Sequence, residues 1–568
     1  MLVLGLNHGE INSSAAIVLD GNVLAAAPED RFTREQKTKA FPAHALAYCL
    51  EAANSTIKSV DCVAQGWNPG ATWERFEPLL SSMRLRREDY FYTIPDNLWN
   101  FTKREPRDWI LMSFPEDCGI PPVYFVQHHR AHAAGGFFLS PFEQAAILTC
   151  DWRGELECHT WGYGEGNTIR VLHKQTIPNS LGMFYATYTE LLGYRRDNDE
   201  WKVMALSAFD VDCSEMTKNV RGTVRLLDDG GFEIDQAYYQ GAILEKSKLY
   251  TQKLVDALGG REGKKNEDPD EWHFSVAKAM QTVSEEILIH NLHKLHERTK
   301  CPNLAMSGGF AMNSVFNGKI LEKTPFRNVY IPFAPADVGN SIGAALYVTH
   351  CVHKRPRTNK FTHSYLGPHF SNEDVEQALI RRGLRYEKIE NMASAVARLL
   401  ANGEIVACFR GRMEFGERAL GNRSILADPR KAEMKEKINA IIKYREGYRP
   451  FAPAVLIEAV HHYFEVPAGY ECHFMEKVVP VRKEQRNALP AITHVDGSGR
   501  LQTVRRDHNP RFYEIIEEFE KITGVPILLN TSFNINGEPI VHSPDDALNT
   551  FFNSGLRYLA MEDYLIEK

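Results

Sequence analysis

A strand-and-hairpin unit at the start of the chain recurs after residue 140. This repetition constrains the fold more than any other feature. Residues 2–6 (LVLGL) form a short apolar run. The turn signal Asn12-Ser13-Ser14 follows, then two β-type runs, 15–19 and 23–27, joined by the hairpin signal Asp20-Gly21-Asn22. Residues 145–149 are again apolar and end at Asp151. After them come 159–163, the turn Gly164-Glu165-Gly166-Asn167, and 169–172. An apolar strand ending near a small or acidic residue and followed by a hairpin thus occurs twice, the mark of an internal duplication. Helical spacing appears at 44–54 and along 271–295, where Phe274, Val276, Met280, Val283, Ile287 and Leu288 are the main apolar positions. Residues 304–306 read as a strand running into Ser307-Gly308-Gly309, 328–331 as another strand, and 340–350 as another helix.

Residues 354–362 (KRPRTNKFT) are polar, basic and proline-bearing, as inter-domain linkers are. Beyond them a helix is expected at 374–382 with Ser371 as its cap, a second at 393–401 stopped by Asn402-Gly403, and a buried strand at 405–409. The boundary is therefore placed near 355, giving a larger α/β domain, 1–355, and a smaller one, 356–568. With 66 basic and 73 acidic residues and a net charge of -7, the chain is not held to nucleic acid by bulk positive charge. No apolar run reaches the ~20 residues of a membrane span. The start lacks a basic leader and cleavage site, so a cytoplasmic location is expected. None of the 10 cysteines forms a C-x-x-C pair, which argues against a zinc ribbon or disulfide scaffold.

Three constellations carry chemistry. His128 and His132, in HHRAH, are four residues apart. On a helix both imidazoles share one face, a half-site for a first-row metal. Asp151 ends an apolar strand and Asp337 precedes a glycine at a helix entry. Two His and two Asp suit Fe(II), Mn(II) or Zn(II), although either Asp alone reads more readily as a turn or helix cap. The second constellation is glycine-rich: Ser307-Gly308-Gly309, ending at Asn313, and Gly339-Asn340-Ser341-Ile342-Gly343. Such turns favour phosphate, or else close packing. The third lies past the linker: Arg410, Arg412, Glu414, Arg418 and Arg423; then Lys443, Arg445 and Arg449; then Arg500, Arg505 and Arg506; then Leu528 to Asn534 (LLNTSFN). Many guanidiniums in one small domain of an acidic chain point to a polyphosphate or carboxylate pocket, or to a solvated basic surface.

GNRSILADPR, YRPFAPAV, LLNTSFN and GEPIV, in that order, resemble the C-terminal half of the NodU/CmcH-type O-carbamoyltransferases. NDEWKVMAL, SGGFAMN and EDRFTR resemble their N-terminal half. By size, antibiotic-tailoring members such as TobZ, which carbamoylates an aminoglycoside, look similar. The resemblance implies a large duplicated actin-like/sugar-kinase-type (ASKHA) domain followed by a smaller YrdC-like α/β domain. It also implies two half-reactions. The smaller domain makes carbamoyl adenylate from carbamoyl phosphate and Mg-ATP. The larger passes the carbamoyl group to a hydroxyl of a small molecule beside a divalent metal, Fe(II) first, with Mn(II) or Zn(II) as alternatives. His128, His132, Asp151 and Asp337 match the family's metal ligands. Arg418, Lys443, Arg449, Arg500, Ser532 and Asn534 match its carbamoyl-phosphate and nucleotide contacts, and Gly308, Gly309, Asn313 and Asn340 its adenylate contacts in the first domain. The implied partners are ATP, carbamoyl phosphate and the acceptor, with no nucleic acid or membrane; a homodimer is the assembly considered.

The chain departs from the family at two places. Members carry a His-Asp pair before the small Ser/Ala run, where this chain reads Ile11-Asn12-Ser13-Ser14. His8, three residues earlier, takes the role of base for the acceptor hydroxyl in this reading. Trp152 follows Asp151 where glycine is common, and residues 68–109 are expected to build the acceptor side. Two other readings compete: a sugar-kinase-like ATPase or phosphotransferase of the same broad fold, and a non-catalytic binding relative.

Overall fold

A computed structural model describes residues 1–72, 87–102, 119–241, 246–357, 363–443 and 446–568. Arg445, Cys118, the end of the expected linker and half of the 68–109 stretch lie outside the described residues. The chain forms two compact units: Met1–Glu29, Lys39–Asn313 and Lys319–Phe361 make the first, and Asp30–Thr38, Ser314–Gly318 and Thr362–Lys568 the second.

The first unit contains the repeat. Strands β1 (Leu2–Asn7), β2 (Ser14–Leu19), β3 (Asn22–Pro28), β4 (Cys62–Gln65) and β5 (Val123–Phe125) form a sheet of order β3-β2-β1-β4-β5. β1 runs antiparallel to β2, as β2 does to β3, and parallel to β4, which pairs parallel with β5. A second sheet holds β6 (Gln144–Cys150), β7 (Glu157–Glu165), β8 (Thr168–Thr176), β11 (Asn303–Ser307) and β12 (Asn328–Tyr330), in the order β12-β11-β6-β7-β8. Its hairpins are again antiparallel and its β6–β11 and β11–β12 pairs parallel. First, second and third strands, then fourth and fifth, fall in the same spatial order with the same directions in both sheets, so the repetition in the sequence is a repetition of topology. Asp20 and Gly21 both take positive φ, as a two-residue hairpin with right-twisted strands requires. A small ribbon of β9 (Val224–Leu226) and β10 (Phe232–Ile234) and the helix Glu271–Thr299 fill the long connection between β8 and β11.

Each sheet is followed by a helix, His128–Phe138 after β5 and Asn340–Leu346 after β12. The two helices cross where Gly135 meets Gly343, and a Cβ at Gly343 would collide with the Ala131 carbonyl. Glycine is there for close approach. Gly343→Ala is expected to cost about 1–3 kcal/mol, as overpacking does. Thermal denaturation checks this, and an unchanged midpoint would show that the crossing yields.

In the second unit a nine-stranded sheet runs β13-β21-β20-β14-β15-β19-β16-β18-β17. Its strands are β13 (Glu387–Lys388), β14 (Val406–Phe409), β15 (Arg423–Ala427), β16 (Ala452–Leu456), β17 (Lys477–Pro480), β18 (Ser498–Val504), β19 (Ile527–Ser532), β20 (Tyr558–Met561) and β21 (Tyr564–Glu567). Side chains alternate between two covered faces. Val406 and Cys408 pack with the helices Met392–Ala401 and Pro510–Thr523, while Ala407 and Phe409 pack with Asn372–Arg381 and Pro544–Phe552. Ser371 caps Asn372–Arg381 in a capping box with Asp374. Part of the EDRFTR string belongs to this unit: Arg34 donates to the carbonyls of Ile540 (2.7 Å) and Pro539 (2.8 Å), and Arg31 to Gly416 (2.9 Å).

Candidate functional site

The helix His128–Phe138 places the imidazoles of His128 and His132 one turn apart, and both are buried. Their Nε2 atoms lie 3.0 Å apart. Asp151 follows the last residue of β6, and Asp337 opens the turn that leads into Asn340–Leu346. Asp151 Oδ2 is 2.9 Å from His132 Nε2 and 3.7 Å from His128 Nε2; Asp337 Oδ1 is 3.5 and 3.3 Å from the same atoms. One donor atom from each of the four residues falls within 4.8 Å of every other. Donors held at about 2.0–2.2 Å from one ion stand roughly 3–3.5 Å apart, so the four side chains fit a divalent cation. Burial disfavours charge on both carboxyls, but the imidazoles more than offset it. They hold Asp151 well below the usual carboxylate range and Asp337 below it. Burial likewise works against a charged His128, and Asp337 and Asp151 still hold it well above the ordinary imidazole value.

A second layer of contacts orients these four side chains. The backbone N–H of Gly309 donates to Asp151 Oδ2 (3.1 Å) and that of Trp152 to Oδ1 (2.7 Å). Asn340 Nδ2 lies 3.2 Å from His132 Nε2 and 3.3 Å from His128 Nδ1. Glu155 accepts from the backbone N–H of His128 (2.9 Å) and Asn68 (2.7 Å), and burial pushes its carboxyl up to about 7. Trp67 meets the His128 ring edge-on at 5.5 Å. His129, between the two ligands in sequence, is engaged by Thr149 Oγ1 at 2.7 Å. Sequence reasoning passed over Glu155 and Trp67. The only signal for Glu155 was an acid four residues beyond Asp151, and Trp67 gave none.

His8 follows β1 as Asp151 follows β6. It is buried, its Nδ1 is 3.2 Å from Gln65 Oε1, and its ring lies between Phe41 and Tyr90, whose hydroxyl donates to the His8 carbonyl. Gly308 takes φ +94° directly against the Cys150 backbone, and Gly309 spends its N–H on Asp151. Asn313 exchanges side-chain hydrogen bonds with Gln281 (3.0 and 3.2 Å).

In the second unit, Lys443 is buried and its ammonium donates to Ser532 Oγ (3.1 Å) and carbonyl (2.5 Å) and to Asn534 Oδ1 (2.7 Å) and carbonyl (3.1 Å). Ser532 Oγ donates to Asn534 Oδ1 at 2.7 Å. Lys443 is thereby joined to two neighbouring residues 89 and 91 positions along the chain. Arg418, Arg449 and Arg500 stand on three other segments. Arg418 lies just before Ala419, its pKa lowered by burial; Arg449 is 3.3 Å from Glu446; Arg500 pairs with Val478 across β17 and β18. Several guanidiniums counted toward an anion pocket have structural work instead. Arg423 is fully buried, stacks on Phe409 at 3.8 Å and donates to the carbonyls of Arg410, Gly411 and Asn422. Arg505 pairs with Asp507 (2.9 Å) and Arg506 with Glu517 (2.6 Å). Glu414 orders the loop that leads into Arg423 by accepting from the N–H groups of Leu420 (2.7 Å) and Asn422 (2.8 Å). Among the described residues no helix is long and apolar enough to cross a membrane.

Comparison with known proteins agrees with this two-part layout. The family model described as Carbamoyltransferase N-terminus matches residues 3–346, and that described as Carbamoyltransferase C-terminus matches 397–568. An uncharacterized protein of Synechocystis sp. is 35% identical, over 100% of this chain and 96% of its own. Nodulation protein NolNO of Sinorhizobium fredii is 37% identical, over 98% of this chain and 79% of its own. The 3'-hydroxymethylcephem-O-carbamoyltransferase of Streptomyces clavuligerus is 27% identical, over 74% of this chain and 75% of its own. The chain belongs to the carbamoyltransferase family and is a transferase.

Proposed function

We propose that the chain is an ATP-dependent O-carbamoyltransferase working in two half-reactions. In the second unit, of YrdC-like type, carbamoyl phosphate loses its phosphate to water. The carbamate oxygen then attacks the α-phosphorus of ATP, and pyrophosphate leaves. In the first unit, of duplicated actin-like and sugar-kinase type, an acceptor oxygen attacks the carbamoyl carbon, its proton passes to His8, and AMP leaves. The activation is needed because nitrogen donation into the carbonyl makes carbamate a poor acyl donor.

The observation that carries this reading is the lysine centre of the second unit. Two anionic substrates must meet there, and a cation offsets their repulsion. Lys443, with Ser532 and Asn534 around it, supplies one. Direct phosphoryl transfer from ATP to a hydroxyl, as in a sugar kinase, needs no such second centre. Arg418, Arg449 and Arg500 add charge for the phosphates, and Gly308, Gly309, Asn313 and Asn340 receive the adenylate in the first unit. His128, His132, Asp151 and Asp337 would hold the divalent ion, Fe(II), Mn(II) or Zn(II) by donor type. Bound there, it would stabilise negative charge developing on a carbonyl or phosphate oxygen. The acceptor is a small-molecule hydroxyl, a natural product such as an aminoglycoside; the Streptomyces relative is named for a 3'-hydroxymethylcephem.

Incubation with ATP, Mg²⁺ and carbamoyl phosphate tests the reading. Pyrophosphate release that depends on carbamoyl phosphate is expected. ADP in its place would favour a phosphotransferase, and no product a binding protein.

A further inference from the structure

We infer that Gln65 is a positioning residue for His8: its side-chain oxygen accepts the Nδ1 proton and so leaves the Nε2 lone pair as the base for the acceptor hydroxyl. This rests on His8 being the base in the transfer proposed above. In that step the acceptor O–H proton moves to His8 Nε2, the acceptor oxygen bonds to the carbamoyl carbon, and the bond from that carbon to the phosphate oxygen of AMP breaks. The imidazolium so formed keeps its Nδ1–H on Gln65.

The register of the two sheets places His8 at a working position. The last parallel pair between β1 and β4 is Leu6 with Gln65, and the last between β6 and β11 is Thr149 with Ser307. His8 and Asp151 each lie two residues beyond, so His8 is to the first repeat what the metal-binding aspartate is to the second. Gln65 and Ser307 correspond in the same way, and Ser307 also serves a site residue, its hydroxyl donating to the His132 carbonyl at 2.6 Å. Two residues past Gln65, Trp67 reaches the His128 ring. The strand end that holds His8 is thus the one that borders the metal cluster.

The chemistry of Gln65 argues against a packing role. It is fully buried, yet among the described residues its Nε2 has no hydrogen-bond partner. A buried amide left half-satisfied is destabilising, and an apolar side chain would fill the space at less cost. What the amide does provide is Oε1 at 3.2 Å from His8 Nδ1. Which imidazole nitrogen carries the proton is set by the bond the other makes. An amide fixes the tautomer without adding the negative charge that a carboxylate partner would bring.

Among the described residues, the charges that act on His8 come from the segment where Arg87 and Asp89 flank Tyr90. Glu10, on the loop of His8 itself, is 3.8 Å from Arg87 and 3.4 Å from Arg153. Phe41 and Gln65 bring none. Burial and Arg87, opposed by Gln65 and Asp89, push the imidazole down to about 4, so it is neutral at pH 7.

Nitrogen-15 histidine NMR of the full chain, with His8→Asn to assign the signal, reads the tautomer directly. A protonated Nδ1 with a bare Nε2 is expected, and the reverse overturns the inference. Gln65→Leu should lose the fixed tautomer and slow transfer roughly tenfold or more, because a wrongly protonated imidazole cannot accept the proton. Gln65→Glu puts an anion beside His8 and raises its pKa. Since the neutral form is the base, the acid limb of the transfer rate should move to higher pH. Transfer is read with a 3'-hydroxymethylcephem and an aminoglycoside as probes, and pyrophosphate release is followed alongside. A wild-type rate in Gln65→Leu, or an unmoved acid limb in Gln65→Glu, removes Gln65 from the step while leaving carbamoyl transfer standing. Absence of pyrophosphate release in the wild type removes the reading underneath. If neither probe is carbamoylated, the tautomer and its loss in Gln65→Leu decide.

Discussion

Lys443→Ala is expected to abolish carbamoyl-phosphate-dependent pyrophosphate release, and carbamoylation with it. The Lys443 ammonium is buried and fixed by Ser532 and Asn534, so its charge is already in place before substrate arrives. A preorganised cation costs nothing to orient at the moment of reaction, and removing one donor of this kind typically costs about 10²–10³ in rate. The loss should exceed that here, because in the proposed reaction Lys443 would offset repulsion between two anionic substrates as well as charge in the transition state. The substitution also leaves the Asn534 Oδ1 and Ser532 carbonyl oxygens without their cation, so circular dichroism must first show an intact fold. The decisive arm supplies synthetic carbamoyl adenylate, which bypasses the second unit. Lys443→Ala should then carbamoylate an acceptor at the wild-type rate. Failure to do so with an intact fold would mean that Lys443 acts in transfer too, and the division of labour between the units would be wrong.

The parts of this molecule that were legible in its sequence are those written in local pattern. Hairpins set by Asp20-Gly21 and the glycine turn after β7 gave the repeat, because two-residue turns and alternating apolar runs are short-range signals. The spacing of His128 and His132 gave half of the candidate metal cluster for the same reason. Asp151 and Asp337 were weaker as isolated residues. Each lies at an element end, where an acid is more readily a cap, and only the second sheet and the crossing of the two glycine-bearing helices bring them to the imidazoles. Gln65 and Glu155 were not legible at all. A buried amide and a buried acid acquire meaning from neighbours that are distant in sequence: His8 is 57 residues from Gln65, and Asn68 is 87 from Glu155. The arginines erred in the other direction. Composition counts charges but cannot see that Arg423 is spent on backbone carbonyls and an aromatic face. Nor does local pattern predict that Asp30–Thr38 and Ser314–Gly318 group with the second unit, since long-range contacts decide it: Arg34 reaches carbonyls more than 500 residues away.

At the candidate metal cluster the complementary result is expected, loss of transfer with the first half-reaction retained. Asp337→Ala removes one of two carboxylates from a set of four donors, leaving two imidazoles and a single anion. Affinity for a divalent ion should fall sharply, because a +2 charge in a buried site depends on its anionic ligands to replace lost hydration. Elemental analysis of the purified protein should show strongly reduced metal content, and full occupancy in the variant would reject Asp337 as a ligand. His132→Ala should weaken the site in the same way and lose transfer, since His132 is also the imidazole nearest Asp151. Neither change alters Lys443, Ser532 or Asn534, which belong to the other unit. Both variants should therefore keep releasing pyrophosphate from ATP and carbamoyl phosphate, with carbamoyl adenylate, or AMP from its hydrolysis, as the product that accumulates. Lys443→Ala fails before the intermediate and is rescued by it; His132→Ala fails after the intermediate and is not. If His132→Ala stops pyrophosphate release with its fold intact, the two half-reactions share a site, and the assignment of one chemistry to each unit has to be given up.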